Sequence, residues 1–309
     1  MSTSASRSVR RPRRLLVVAA AAVALTGPFL LPTTPAFASV DVQGKVVFVA
    51  DGDTFDVDIY GDGTSTPMRV RSIGINTMEQ TVYSHDLAKI AGDCHSTEAT
   101  RRLHALINGK VVRLTSRYNS RVGARYRRSV DVKINGVWRD VHWIMMREGH
   151  GLFLGNGVEY RKNRSYMRQA QYAKTMGKNV WDPDYCGVGP AAKLAVSVKY
   201  DAVGKDASNL NGEYLRVTNR GTTAVSLAGW HVRDGGPYNY NFPSWAKVAA
   251  GKTIYVHVGR GTSSGVNFYW GRTAPVFDNP TGSPQYNGDG GYLFDPKGNL
   301  RASHMWPVR

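Results

Sequence analysis

Two short segments in the first half of the chain hold residue types that could hydrolyse a phosphodiester bond. Residues 51–54 read Asp-Gly-Asp-Thr, and residues 76–79 read Asn-Thr-Met-Glu, five positions after Arg71. Carboxylate, amide and carbonyl oxygens suit Ca²⁺, a guanidinium binds phosphate through paired hydrogen bonds, and a carboxylate can orient or deprotonate water. The alternative is purely structural: the Asp residues cap a turn, and Arg71 and Glu79 form a surface ion pair of little energetic value.

The pattern around these segments predicts a β-rich fold. Strands are expected from the apolar or alternating runs at residues 44–50, 55–60, 68–75, 111–114 and 129–134. Asp-Gly at 51–52 and Asn-Gly at 135–136 mark hairpin turns. Helical spacing predicts three helices: one capped by Ser96, one at 141–148 and one at 160–176. This arrangement indicates an α+β fold built on an OB-type five-stranded β-barrel with three helices.

In their order and spacing these motifs resemble the staphylococcal nuclease (thermonuclease) family. The likeness covers about residues 42–187. It implies that Asp53, Asn76 and the carbonyl of Thr77 bind Ca²⁺. Asn76 departs from the family, which usually has a second Asp at this position. An amide oxygen can still bind Ca²⁺, but the affinity should fall because one negative charge is lost.

The resemblance also implies the catalytic residues. Arg71 would bind the scissile phosphate, and Glu79 would act on the attacking water. A second phosphate-binding arginine is expected near the start of an alternating strand, where Arg125, Arg127 and Arg128 compete. Arg125 is favoured because the hairpin beyond it then has arms of equal length. Arg127 is its rival because it faces the same way at a period of two, whereas Arg128 points to the opposite side.

The chain has two cysteines, Cys94 and Cys186. In a secreted protein they most simply form one disulfide, and two free thiols are the alternative. The bond would close the long loop between Cys94 and Cys186. The chain-entropy model assigns such a disulfide a contribution to the free energy of unfolding of roughly 4–5 kcal/mol at most. Neither cysteine has the partners at the spacing that a zinc site requires.

The N-terminus has the organisation of a secretory signal peptide. Residues 1–14 contain five arginines and no acidic residue, residues 15–31 are apolar, and Ala-Phe-Ala ends at Ala38. The apolar run is shorter than the roughly 20 residues that a membrane span requires. We therefore expect cleavage after Ala38, an extracellular location and no membrane span in the mature chain. A membrane anchor is the alternative.

The charge balance predicts a polyanionic partner. The net charge of +17 becomes +12 when the five N-terminal arginines are removed. A basic secreted protein favours nucleic acid or an anionic cell-wall polymer as a partner, although the charge could also serve solubility alone. Apolar residues make up 42% of the chain, which excludes a disordered protein.

A Gly/Pro-rich stretch near residue 188 predicts a boundary between a first half, residues 39–187, and a second half, residues 188–309. Short alternating runs in the second half predict an all-β, immunoglobulin-like β-sandwich. Segments 212–219, 227–234, 240–243 and 249–262 resemble a lamin-tail (LTD) domain, a likeness that brings no catalytic residues. The aromatic residues of this half either fill its core or form a binding platform; they are Trp230, Trp245, Tyr255 and Trp270.

These observations predict a secreted, Ca²⁺-dependent nuclease that hydrolyses DNA and RNA with little sequence preference and carries an LTD module. The alternative is a non-catalytic extracellular protein whose barrel holds nucleic acid while the LTD module tethers it to a surface, such as a cell-wall polymer. Asp53, Arg71 and Glu79 favour the enzyme, and Asn76 favours the binding protein.

Overall fold

The computed structural model describes residues 39–279 and 288–306, and the predicted signal peptide lies outside them. The strands of the first half are β1 (Val40–Val49), β2 (Thr54–Ile59), β3 (Met68–Ser72), β4 (Ile75–Asn76), β5 (Gln80–Val82), β6 (Ala91–Gly92), β7 (Val111–Ser116), β8 (Arg121–Val122), β9 (Arg125–Ile134), β10 (Val137–Asp140) and β11 (Leu152–Phe153). Its helices are α1 (Ser96–Ile107), α2 (Val141–Arg147) and α3 (Asn163–Thr175). No helix in the described residues is long and apolar enough to cross a lipid bilayer.

Five strands of the first half close into a barrel. β1 pairs with β2 and β7, β2 pairs with β3, and β3 runs parallel to β9. The antiparallel pairing of β9 with β7 completes the ring. β10 folds back on β9 through the predicted Asn135-Gly136 turn. The five-stranded barrel with three helices is therefore confirmed.

The alternation of residue types decides which side chains fill the barrel. In β2, Phe55, Val57 and Ile59 are buried, whereas Asp56 and Asp58 between them are half-buried. A strand presents successive side chains to opposite faces, so one apolar set enters the core. Each such side chain stabilises the fold by roughly 1.5–3 kcal/mol relative to leaving it exposed.

Three local features differ from the prediction. β9 begins at Arg125 instead of residue 129, because its first residues pair with β3 and do not need an apolar alternation of their own. The predicted third strand breaks at Gly74, which has φ +81° and packs where a Cβ would collide with the Tyr166 ring. Ser96 does not cap α1. His95 precedes the helix with φ 74°, and the amide of Ser96 donates to the carbonyl of Asp93 at 2.9 Å.

The second half is the predicted β-sandwich. Its strands are β12 (Leu194–Lys199), β13 (Tyr214–Asn219), β14 (Val225–Ser226), β15 (His231–Arg233), β16 (Asn239–Asn241), β17 (Lys247–Val248), β18 (Thr253–His257), β19 (Asn267–Tyr269), β20 (Asp289–Phe294) and β21 (Leu300–Trp306). One sheet has the order β12-β13-β18-β19 and the other β16-β15-β20-β21. Trp230 is buried between them, whereas Trp245 is half exposed, so core packing explains only some of the aromatic residues.

The two halves share buried surface. Tyr292 and Phe294 of β20, with Leu300 of β21, belong to the same apolar cluster as the barrel interior. The ring of Tyr292 also lies 6.1 Å from that of Trp181, between ring centres. The second half therefore packs directly against the barrel, and the described residues form one compact unit.

Cys94 and Cys186 form the predicted disulfide, with Cα atoms 5.9 Å apart. It fixes the end of the first half beside the start of α1. The amide of Cys186 also donates to Asn299 Oδ1 at 2.7 Å, so the same point is bonded to the second half. The disulfide therefore lies where the two halves meet, next to the boundary near residue 188.

We expect replacement of both cysteines by serine to lower the free energy of unfolding by about 3–5 kcal/mol, because the bond closes a long loop in the unfolded chain. Urea denaturation of the wild type and of the Cys94→Ser/Cys186→Ser double variant measures the difference. Reduction of the wild type with dithiothreitol should reproduce it. A denaturation midpoint that neither change moves would contradict the prediction.

Candidate active site

The turn between β1 and β2 carries the first acidic groups of the candidate site. The amide of Ala50 donates to the carbonyl of Thr54 at 2.9 Å, and the amide of Asp53 donates to Asp51 Oδ1 at 2.9 Å. Both aspartates are buried: Asp51 is 9% exposed and Asp53 4%. A buried carboxylate is costly unless it is paired, so the partners of this turn decide what it can do.

Asp53 is paired with residues that lie far along the chain. Arg71, at the end of β3, forms an ion pair with Asp53 Oδ1 and donates from Nη2 to Asn76 Oδ1 at 2.5 Å. The amide of Thr77 donates to Asp53 Oδ2 at 2.9 Å. The structure thus brings together Asp53, Arg71, Asn76 and Thr77. Arg71 is buried and pairs with Asp53, which differs from the surface ion pair with Glu79 considered as an alternative.

Asp51 is a member of this cluster that the sequence analysis did not single out. Burial and the nearby charge of Asp53 raise the pKa of Asp51. Burial acts on Asp53 in the same direction, but the Arg71 guanidinium and the Thr77 amide outweigh it and lower the pKa of Asp53. Two adjacent buried carboxylates disfavour each other's charge, so a positive group is needed here. The sequence could have indicated the role of Asp51, because acidic residues stand on both sides of Gly52.

Glu79 follows β4 and lines the same cleft. Burial and the charge of Asp53 raise its pKa, while Arg71 and Arg233 act in the opposite direction. Its carbonyl accepts a hydrogen bond from the amide of Asp93 at 2.9 Å, which holds the backbone of this loop. Glu79 is therefore a solvent-accessible carboxyl group with a raised pKa that lines the arginine-containing cleft, a setting compatible with a general base.

The arginines of β9 divide between two faces. Arg125 and Arg127 both line the cleft, and Arg125 Nη1 donates to Thr54 Oγ1 at 3.3 Å. Arg128 is 1% exposed and donates to Asn119 Oδ1 at 2.5 Å. Burial and the charges of Arg71 and Arg125 lower the pKa of Arg127. The alternation of side chains along the strand places Arg128 on the opposite face, as predicted. Arg125 and Arg127 both remain candidates for the second phosphate-binding residue.

The oxygen donors at this site are of the kinds that a calcium ion prefers. Asp53 Oδ1 and Asn76 Oδ1 both contact the guanidinium of Arg71, so they converge on one centre of positive charge. Carboxylate, amide and backbone carbonyl oxygens are ordinary Ca²⁺ ligands. Within the described residues, no three histidine, cysteine, aspartate or glutamate side chains are gathered as a metal site. A cation here would therefore need the amide and carbonyl oxygens as well as Asp53.

The cleft has a volume of about 510 Å³, and residues of both halves line it. The first half contributes the acidic cluster and the arginines. The second half contributes Asp234, Pro237, Tyr238 and Val276 among others. Their place in the cleft has no signal in the sequence, because they lie in turns that the strand pattern does not connect to the barrel.

The fold and the cleft define a class of protein: a closed barrel with convergent arginines and carboxylates, joined to an immunoglobulin-like sandwich. Comparison with protein families identifies the sandwich. Residues 191–307 match the family model of the Lamin Tail Domain, which confirms the predicted LTD resemblance. No curated protein matches the chain.

Proposed function

We propose that this protein is a secreted, Ca²⁺-dependent nuclease with an OB-type catalytic barrel that hydrolyses phosphodiester bonds of DNA and RNA with little sequence preference. The observation that carries the proposal is the convergence of Asp53, Arg71 and Glu79 in one cleft with two further arginines. These residues come from three separate segments, the β1–β2 turn, β3 and the loop after β4. A purely structural ion pair would not need all of them on one concave surface.

Each residue type has a distinct task in phosphodiester hydrolysis. Arg71 and one of Arg125 and Arg127 neutralise the phosphate and the charge that develops on it in the transition state. Glu79 orients a water molecule or accepts its proton. Asp53, Asn76 and the carbonyl of Thr77 would hold Ca²⁺, which supplies further positive charge at the phosphate when bound. Because the contacts are to phosphate, little sequence preference is expected.

Secretion accords with the disulfide, since stable disulfides form mainly in oxidising compartments. The predicted signal peptide would direct the chain there. Residues 188–309 contain 13 Lys and Arg against 7 Asp and Glu, a positive balance that suits nucleic acid or an anionic cell-wall polymer.

Incubation of the purified mature chain with plasmid DNA and with RNA, in Ca²⁺ or in chelator, tests the proposal. We expect both substrates to be cleaved in Ca²⁺ and neither in chelator. Intact substrates at every Ca²⁺ concentration would contradict it.

A non-catalytic nucleic-acid-binding protein is the second candidate, and one observation favours it. Arg71 is engaged by Asp53 and Asn76, which leaves fewer of its five N–H groups free to bind a phosphate. This candidate predicts a shift of nucleic acid in a native gel without cleavage products under the same conditions.

We expect Asn76→Asp to lower the Ca²⁺ concentration needed for half-maximal cleavage by about three- to tenfold, because the number of charged ligands tunes calcium affinity. A Ca²⁺ titration of nuclease activity measures it. Asn135→Asp is the matched control, since it adds the same charge at the tip of the β9–β10 turn. Overlapping curves for the Asn76 variant and the wild type would mean that residue 76 does not face the metal.

A further inference from the structure

One wall of the cleft belongs to the second half of the chain, residues 188–309, called here the lamin-tail half. It is formed by the loop that follows β15, residues 234–238, and by neighbouring residues such as Val276. Tyr238 is the large aromatic residue of this wall and is 41% exposed. The wall thus presents an accessible ring to the same space that Arg71 and Glu79 face.

The 234–238 loop is held firmly against the first half. Arg233 is 4% exposed, donates from Nη2 to the carbonyl of Gly236 at 2.5 Å and contacts Met78 Sδ from Nη1 at 3.8 Å. Gly235 packs so closely that a Cβ there would collide with the carbonyl oxygen of Phe153. Phe153 lies on β11, which pairs with β4, the strand that ends at Asn76. The position of the loop is therefore tied to that of the candidate active site.

The arginines that line the cleft all belong to the first half, where the carboxyl groups of Asp51, Asp53 and Glu79 also lie. The first half supplies positive charge from Arg71, Arg125 and Arg127. The lamin-tail wall instead contains the buried carboxyl groups of Asp234 and Asp289. A phosphate backbone is attracted to arginines, and in this cleft only the barrel side provides them. Phosphates are therefore expected on the barrel side, and the lamin-tail wall is left for the uncharged part of a nucleotide.

The exposed part of that wall suits a nucleobase. The guanidinium of Arg272 lies 3.8 Å from the centre of the Tyr238 ring, and the preceding residue, Pro237, is exposed and also lines the cleft. An aromatic ring combined with an arginine is the usual platform on which unpaired bases stack. A base in a duplex is stacked and paired already, so it could reach this ring only after leaving the helix.

We propose that the 234–238 loop is the base-contacting wall of the cleft, and that Tyr238 stacks on a base of an unpaired DNA or RNA strand whose phosphates lie on the arginines of the barrel. This inference rests on the proposed function, from which it takes nucleic acid as the ligand. It assigns the lamin-tail half a direct role in selecting single strands over duplexes.

Binding and photo-crosslinking in chelator test this role without requiring cleavage. The probe is a fluorescent single-stranded oligonucleotide that carries 5-iodouracil, with its duplex as comparison. We expect the crosslink to map to Tyr238, and Tyr238→Ala to weaken single-strand binding about tenfold while leaving duplex binding unchanged. Tyr238→Phe should retain both, and Tyr60→Ala is the control because Tyr60 is exposed and lies outside the cleft.

Unchanged single-strand binding by Tyr238→Ala, or an equal loss for single strand and duplex, would overturn the proposal. The outcomes also separate it from the nuclease assignment. A Tyr238 crosslink in a protein that cleaves nothing in Ca²⁺ would support the base-contacting role of the 234–238 loop and refute the nuclease assignment. Cleavage by the wild type, together with normal single-strand binding by the Tyr238→Ala variant, would refute the base-contacting role of the loop and support the nuclease assignment.

Discussion

Glu79→Gln is expected to lower kcat for nucleic-acid cleavage by about 10²–10⁴-fold while leaving the Kd for nucleic acid nearly unchanged. The substitution keeps the shape of the side chain but removes the carboxylate that would activate water. Single-turnover cleavage and binding in chelator, measured on the same oligonucleotide, separate the two effects.

The matched control for this variant is Glu98→Gln, which removes a carboxylate from the surface of α1, where it pairs with Arg101. Its cleavage rate should equal that of the wild type. If Glu79→Gln weakened binding and cleavage to the same extent, Glu79 would have a structural role and no role in water activation.

Arg71→Lys is expected to lower kcat by about 10²-fold, the usual cost of losing one well-placed donor to a transition-state oxyanion. Lysine keeps the positive charge but cannot reproduce the two-pronged geometry of the guanidinium. Because Arg71 also contacts Asp53 and Asn76, thermal unfolding should be followed in parallel to show that the variant is folded.

Arg69→Lys provides the control on the same strand. Arg69 lies two residues before Arg71 in β3, is half exposed and pairs with Asp56 on the outside of the barrel. We expect its cleavage rate to be unchanged. A folded Arg71→Lys variant with wild-type turnover would remove Arg71 from the catalytic machinery.

The barrel was predictable because its information is local. The alternation of Phe55, Val57 and Ile59 with aspartates defines a strand with one buried face, whatever the strand packs against. The start of β9 was not predictable in the same way. Arg125 to Arg128 have no apolar alternation, and only the parallel pairing with β3 extends the strand over them.

The candidate site was predicted in part for a related reason. Motif spacing singled out Asp53, Arg71 and Glu79, and a period of two separated Arg128 from its neighbours. The engagement of Arg71 by both Asp53 and Asn76 was not expected, because it depends on how closely β3 and β4 approach the turn after β1. Sequence spacing states which groups share a face, but not which of them touch.

The sequence by itself determined the strands of the barrel, the sandwich and the chemical types gathered in the two motifs, since each depends on residue periodicity or on short-range order. The disulfide was expected because two cysteines of a secreted protein most simply pair, and the structure confirms it over two free thiols. Only the tertiary structure placed Tyr238 in the cleft and Tyr292 in the shared core. The physical reason is that an apolar or aromatic pattern specifies a surface to be buried, whereas its partner is chosen by the complementary shape and charge of a segment distant in the chain.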